Sequence, residues 1–532
     1  MPPNQSYSQL VDAPLESVPE AAQSEKAEKS TYGHILKSTA LVGGSSVLNL
    51  VIGMVRAKSM AILLGPAGFG LFGLYSSIAN LTQSVAGMGI NSSGVRQIAA
   101  AVGSGDSEQI ARTTIVLRRI AVLLGLLGAV LLVIFAKQVS ILTFGTDRRT
   151  SGVILLSIAV FFNLVSAGQG ALIQGMRRIS DLVKISVLGA LLGTSITIPL
   201  VYFFRERGVV PSLVGVAAVA LATSWWYSRK VRIQATSMAV SEVGQEAGSL
   251  LKLGFAFMTT GLMTMGSAYI VRIAILHNLG IEATGLYQSA WTLGVLYVGF
   301  VLQAMGADFY PRLTASAYDN VKCNQLVNEQ ARVSLLLAGP GVIATLTFAP
   351  VVIALFYSAK FGGAVGILRW ICLGATLQVV SWPMGFIIVA KGKQGLYFWS
   401  ELAWTIVHIG LAWLFVGYFG LTGAGIAFFA SYVFHVVLIY AIVRRCSGFR
   451  PSTENLKTGL FLLALIGAVF CGFYVLPFFW AACVGTVAAL LSAIYSIRVL
   501  ASLIPLDQLP RPIRRLLSQL GLGMGTRQGV VT

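Results

Sequence analysis

Arg56 and Arg272 lie near the ends of long apolar stretches in a chain where only 11% of residues are charged. A guanidinium stays protonated and grips phosphate oxygens through paired hydrogen bonds. A cation set into hydrocarbon costs at least ~2.5–3.5 kcal/mol on insertion scales, so such residues mark an anionic cargo. The competing reading is that Arg56, with Lys58, snorkels to lipid headgroups. Arg369 begins another apolar stretch and reads equally as a second phosphate contact or an interfacial anchor. Asn80, Gln83 and Ser84 are spaced i, i+3, i+4 and share one helical face. With Asn91, and with Gln303 further along, they form a polar face for sugar hydroxyls, or they glue helices together. Asp308 stands four residues before Arg312, as a local ion pair or a proton or sodium site. Glu401, His408 and His435 are the remaining ionisable groups in or near apolar stretches. Histidine titrates near physiological pH and so could carry a coupling proton, or it could simply pack.

Nothing in the chain assembles an enzyme. It shows no paired carboxylates, nucleophile triad or metal cluster. The five cysteines form no ligand motif, so neither a metal nor another cofactor is expected.

The elements that must position these side chains follow from composition. The 532 residues are 56% hydrophobic, with a mean hydropathy of +0.79. A soluble domain carries roughly 25% charged residues, so this chain cannot cover a water-facing surface. Apolar segments fall at 38–55, 69–90, 113–135, 153–173, 185–204, 209–227, 253–276, 284–305, 333–356, 365–389, 399–418, 423–443, 460–476 and 478–497. Each has about the length that crosses ~30 Å of hydrocarbon as a helix. The fold expected is an all-α polytopic membrane protein with about fourteen transmembrane helices. Small residues such as Gly189 and Gly193 suit close helix approach.

With the N-terminus inside, 28 Lys and Arg residues face the cytoplasm, 8 face outward and 2 are buried. Both termini are therefore expected in the cytoplasm. The net charge of +19 is topogenic, and no nucleic acid is implied. No outward loop exceeds about 20 residues, which leaves no room for the large periplasmic loop of a polymerase or ligase.

The chain also repeats. Val55-Arg56 matches Val271-Arg272, Leu64-Gly65 matches Leu279-Gly280, and Gly70-Leu71-Phe72 matches Gly285-Leu286-Tyr287. Met88-Gly89 and Arg96 match Met305-Gly306 and Arg312. The expected organisation is a disordered tail at 1–34, a six-helix lobe at 35–230, a second at 250–445, two extra helices at 458–497 and a tail at 498–532. A basic amphipathic helix is expected at 511–520. Parallel repeats of this kind build transporters that rock around a central site.

Leu64-Gly65-Pro66-Ala67-Gly68-Phe69-Gly70, Val85-Ala86-Gly87-Met88-Gly89-Ile90-Asn91, Val389-Ala390-Lys391-Gly392 and Phe398-Trp399-Ser400-Glu401 occur in that order. This series resembles the Wzx-type O-antigen and enterobacterial-common-antigen flippases, in the polysaccharide-transport branch of the MOP superfamily. The resemblance covers about residues 35–445. It implies two six-helix lobes around a cavity open alternately to each side of the inner membrane. It implies an undecaprenyl-pyrophosphate-linked oligosaccharide as cargo, an O-antigen or exopolysaccharide repeat unit in lipopolysaccharide-type biosynthesis. A polysaccharide polymerase and a chain-length regulator are the implied protein partners, with membrane lipid around them. The alternative on the same architecture is a cation-coupled, MATE-like multidrug antiporter. That would need acids deep in the cavity, and of nineteen acids only Asp308 and Glu401 approach a span interior.

Overall fold

A computed structural model describes residues 20–231, 238 and 240–503; the side chains of 20–43, 240, 256, 297, 300–308 and 503 lie outside that description. Among the described residues there is no strand. The first half comprises α1 (Glu20–Ala86), α2 (Ile90–Ser104), α3 (Ser107–Ile134), α4 (Ala136–Phe144), α5 (Thr150–Gly175), α6 (Ile179–Phe204) and α7 (Val209–Ser228). The second comprises α8 (Val240–Gly294), α9 (Leu296–Ala315), α10 (Asn320–Thr347), α11 (Ala349–Phe356), α12 (Ala364–Ala390), α13 (Gln394–Phe419) and α14 (Leu421–Ser447). α15 (Thr453–Val475) and α16 (Phe478–Leu503) follow. α1 starts at Glu20, so its first turns take in part of the stretch expected as a tail. The segments 511–520 and 1–19 lie outside the described residues.

In hydrocarbon every backbone N–H and C=O must be paired within its own segment, which is why apolar sequence of this length becomes helix. Among the described residues ten helices are long and apolar enough to cross a membrane, or eleven if the bent pair α10–α11, which turns through 83°, is one span. Fourteen crossings is thus not the number that length and composition alone return. Three of the ten are long continuous stretches, 44–86, 179–228 and 257–294, each holding two of the segments expected from the sequence.

The breaks inside those stretches repeat. Gly65 (φ 65°, ψ −172°) interrupts α1, and Gly280 (φ 86°, ψ 180°) interrupts α8, 215 positions later. Glycine alone adopts such a conformation without a Cβ clash. α3 and α10 are each 28 residues long. Each is capped by an aspartate, Asp106 or Asp319, whose carboxylate accepts from two backbone N–H groups at 2.9–3.1 Å. Such a cap is worth about 1 kcal/mol. Each helix ends at a phenylalanine, Phe135 or Phe348, before a short helix, α4 or α11. The repeat seen in residue pairs is therefore also a repeat of breaks and caps.

α1 packs mainly along α8, so the two halves meet on their first helices. At one end of that seam a Cβ on Gly70 would strike the Ile281 carbonyl, and one on Gly285 would strike the Pro66 carbonyl. These two clashes are copies of each other under the same 215-residue offset. At the other end Gly89 and the Met88 carbonyl press on Gly254. From Gly70 to the end of α1 at Ala86 the helix rises about 24 Å at 1.5 Å per residue, most of the ~30 Å hydrocarbon thickness. The close approach expected at Gly189 and Gly193 is weaker: Gly193 meets Val216 at ordinary contact distance and Gly189 faces open space.

α15 and α16 pack on α10, outside the repeat. Trp370 of α12 stands edge-on to Phe470 of α15 at 4.7 Å. Leu123, Ile134, Phe203, Trp226, Val437 and Leu490 are exposed, an apolar surface matched to lipid.

Candidate functional site

The seam encloses a cavity of about 250 Å³ between α1, α8 and the α11 corner. α1 contributes Asn49, Gly53, Arg56 and Met60 to its wall, a stripe at i, i+4, i+7 and i+11. That spacing brings one helical face onto the cavity. The second limb of α8 contributes Gln288 and Thr292, again i and i+4. Phe69, Phe72, Phe356 and Tyr357 make the wall apolar on the Gly65 side. Among the described residues, none that lines this cavity is Asp or Glu.

Arg56 is the one charged residue in that wall. Among the described residues it has no hydrogen-bond or ion-pair partner. Its neighbour Lys58 is differently placed: its Nζ donates to the Leu355 carbonyl of α11 at 2.8 Å, tying α1 to the second half. Asn49 Nδ2 donates to Ser186 Oγ of α6 at 2.7 Å, while Asn49 Oδ1 is buried without a partner. The cavity therefore offers a free cation, a free acceptor and an apolar floor.

Arg272 does not reach the cavity surface. It is 7% exposed; Nε donates to Gln288 Oε1 and Nη1 to the Ala268 carbonyl, both at 2.8 Å. Its guanidinium lies 5.8 Å from the Tyr287 ring centroid. Gln288 Nε2 passes the chain on to Thr292 Oγ1 at 3.3 Å. Arg272 thus stands behind the wall and fixes the orientation of Gln288. Counted from the matched breaks at Gly65 and Gly280, its counterpart is Ala57, and that of Arg56 is Val271. One residue is about 100° of helix rotation, which turns one arginine into the cavity and the other into the core.

Arg369 is placed elsewhere. Its Nε donates to the Leu346 carbonyl at 3.2 Å, and its guanidinium lies 3.7 Å from the Phe473 ring centroid of α15. It joins α10, α12 and α15. Asn80 and Asn91 are exposed and Gln83 half-buried; none of the three lines the cavity. Ser84, on the same face, sits against Gly261 of α8. Gln303 and Asp308 fall where side chains are outside the described residues. Glu401, His408 and His435 come together inside the second half, among α12, α13 and α14. Trp404 stacks on His408 at 5.3 Å.

Sequence reasoning missed Asn49, Gln288, Thr292 and Tyr357. Asn49, Gly53 and Arg56 carry a helical polar spacing that could have been read. Tyr357 could not, because it arrives through the α10–α11 bend.

At the rim, Arg112 of α3 reaches Glu108 in its own helix and Glu242 of α8 at 3.5 Å. It borders a second, polar hollow of about 380 Å³, lined also by Gln97, Gln109 and Ser249.

Three comparisons bear on this arrangement. The lipid III flippase of Escherichia coli (strain K12) is 24% identical over 419 residues, covering 76% of this chain and 97% of that protein. The lipid II flippase MurJ, in an inward closed conformation, superposes with a TM-score of 0.62 at 13% identity, covering 86% of this chain and 98% of its own. An inward-facing multidrug resistance MATE family transporter of the MOP superfamily gives 0.62 at 16% identity, covering 75% and 98%. These two structures share the fold, and with it an all-α polytopic membrane architecture. The family described as polysaccharide biosynthesis protein matches residues 59–366. That match runs from the middle of α1 into α12, across the seam and more than half of the chain, and makes this protein a member of the polysaccharide biosynthesis protein family.

Proposed function

We propose that the chain is a flippase that carries a lipid-linked oligosaccharide from the cytoplasmic to the periplasmic leaflet by alternating access of two six-helix lobes. It works in the inner membrane as fourteen crossings with both termini cytoplasmic. The observation that carries this reading is Arg56, a cation without a partner in the cavity between the halves. A pyrophosphate headgroup is the ligand that such a group fits, with the undecaprenyl tail left in the bilayer. Asn49 Oδ1, Gln288 and Thr292 supply acceptors and donors for sugar hydroxyls, which cannot be buried without partners. No bond is made or broken in the cargo; the protein replaces water around its headgroup during passage.

Small-ligand sites usually enclose about 300–1,000 Å³, so a cavity of about 250 Å³ is too small for a charged oligosaccharide. The halves must separate to admit one. Glycine contacts at the two ends of the α1–α8 seam suit that motion, since each holds by packing alone. The named functions of the bacterial relative and of MurJ agree with this cargo class. The multidrug alternative is weaker, because cationic drugs call for acids and the cavity wall has none. An O-antigen or exopolysaccharide repeat unit is the cargo proposed, with a polymerase and chain-length regulator receiving it.

Deletion of the gene tests this. Mass spectrometry of the lipid extract should find an accumulated polyprenyl-pyrophosphate oligosaccharide on the cytoplasmic side. A lipid profile unchanged by deletion, with new sensitivity to cationic drugs, would overturn the reading in favour of the antiporter.

A further inference from the structure

The second half holds a buried titratable cluster that the seam does not use. Glu401 Oε1 of α13 lies 3.7 Å from His435 Nε2 of α14, with side-chain exposures of 24% and 5%. The other ring nitrogen, His435 Nδ1, lies 3.1 Å from Ser381 Oγ of α12. Three helices therefore meet on one imidazole. Trp404 stands edge-on to His435 at 6.0 Å and parallel to His408 at 5.3 Å. Its Nε1, and Gln378 Oε1 of α12, are buried without partners, so the cluster has spare polar atoms for a second arrangement.

The surrounding groups leave this pair as the proton holder. Tyr397 of α13 and Tyr432 of α14 lie beside Glu401, and Trp382 of α12 hydrogen-bonds Tyr432. His408 Nδ1 meets only Ser431 Oγ, at 3.2 Å, and its ring is stacked, as a packing histidine would be. On α8, Arg272 is committed to Gln288 and Ala268. On α10, Arg332 pairs with Glu454 and Glu329 accepts from Gln325. Lys391 and Lys393, at the end of α12, turn to Asn320 and Cys446.

A carboxylate facing an imidazole in hydrocarbon can be neutral overall with the proton on either atom, and one proton more gives it net charge. Trp404 packs against the same apolar cluster as Val271 and Ile275, which flank Arg272 on α8.

We propose that Glu401 and His435 form a single-proton site at the α12–α13–α14 junction, loaded from water on one side and discharged on the other as the halves move. This coupling rests on the flippase reading above; the site itself does not.

Two measurements on the full chain separate them. In detergent, without cargo, acidification from pH 8 to 5 should load a single proton more onto the wild type than onto Glu401→Gln or His435→Gln, read by proton uptake in unbuffered solution. Equal uptake in all three would overturn the site. In vesicles, an imposed pH gradient should change wild-type flipping of a polyprenyl-pyrophosphate sugar several-fold and leave Glu401→Gln flipping unchanged. A preserved gradient response in Glu401→Gln would overturn the coupling. Absence of any flipping by the wild type would refute the function while leaving the proton count to stand or fall by itself.

Discussion

The seam between the halves and the junction of α12, α13 and α14 are both buried and both polar, yet they are built oppositely. At the seam the polar groups are unpaired or held from behind, and backbones touch through glycines at either end. At the junction the imidazoles are bonded to serines and clamped between aromatic rings. The seam looks like surfaces meant to part around a ligand; the junction is tied together within one half. An unpaired cation is tolerable only where something else supplies the counter-charge, and this is why we propose the seam as the place for cargo.

The comparison breaks first at glycine. Gly285→Val would drive a branched side chain into the Pro66 backbone, which has no room to yield. Overpacking costs typically 1–3 kcal/mol and more against rigid backbone. We expect little folded protein in membranes by size-exclusion yield; a normal yield would show that the halves do not close as described. The next effect is at Gln288→Leu, which removes the acceptor for buried Arg272 Nε. It should lower stability by about 1–3 kcal/mol, read as a lower unfolding midpoint in detergent. An unchanged midpoint would mean that Arg272 is not held through Gln288. Smallest is Arg112→Ala, which removes the Glu242 pair at the seam's rim, with side chains 34% and 40% exposed. A small drop in the unfolding midpoint, vanishing at high salt, is expected. A larger loss would move the strength of the seam from its interior to its rim.

Much of the fold was legible because hydrocarbon permits little but helix, and because the repeat was written twice. The offset at Leu64-Gly65 and Leu279-Gly280 turned out to mark the two structural breaks. The site was legible only in part. Arg56 was found by its charge, but Arg272 was paired with it through a dipeptide match one residue out of step with the breaks. A slip of one residue is invisible in a match of apolar sequence and decisive on a helix face. Asn80, Gln83 and Ser84 share a face by spacing, but which neighbour a face meets is decided by packing. Arg369 was drawn to α15, and that helix lies outside the repeat from which its role was argued. Glu401 and His435 lie 34 positions apart in sequence and meet only because α13 and α14 pack side by side.

The central claim is that Arg56 receives the anionic headgroup. Wild type and Arg56→Ala should be reconstituted into vesicles at equal density, and the appearance of a polyprenyl-pyrophosphate oligosaccharide in the opposite leaflet timed. Losing charge-assisted hydrogen bonds worth roughly 1.5–3 kcal/mol predicts flipping slowed about 10- to 150-fold at subsaturating cargo, with the unfolding midpoint unchanged. Flipping at the wild-type rate by folded Arg56→Ala would contradict the account.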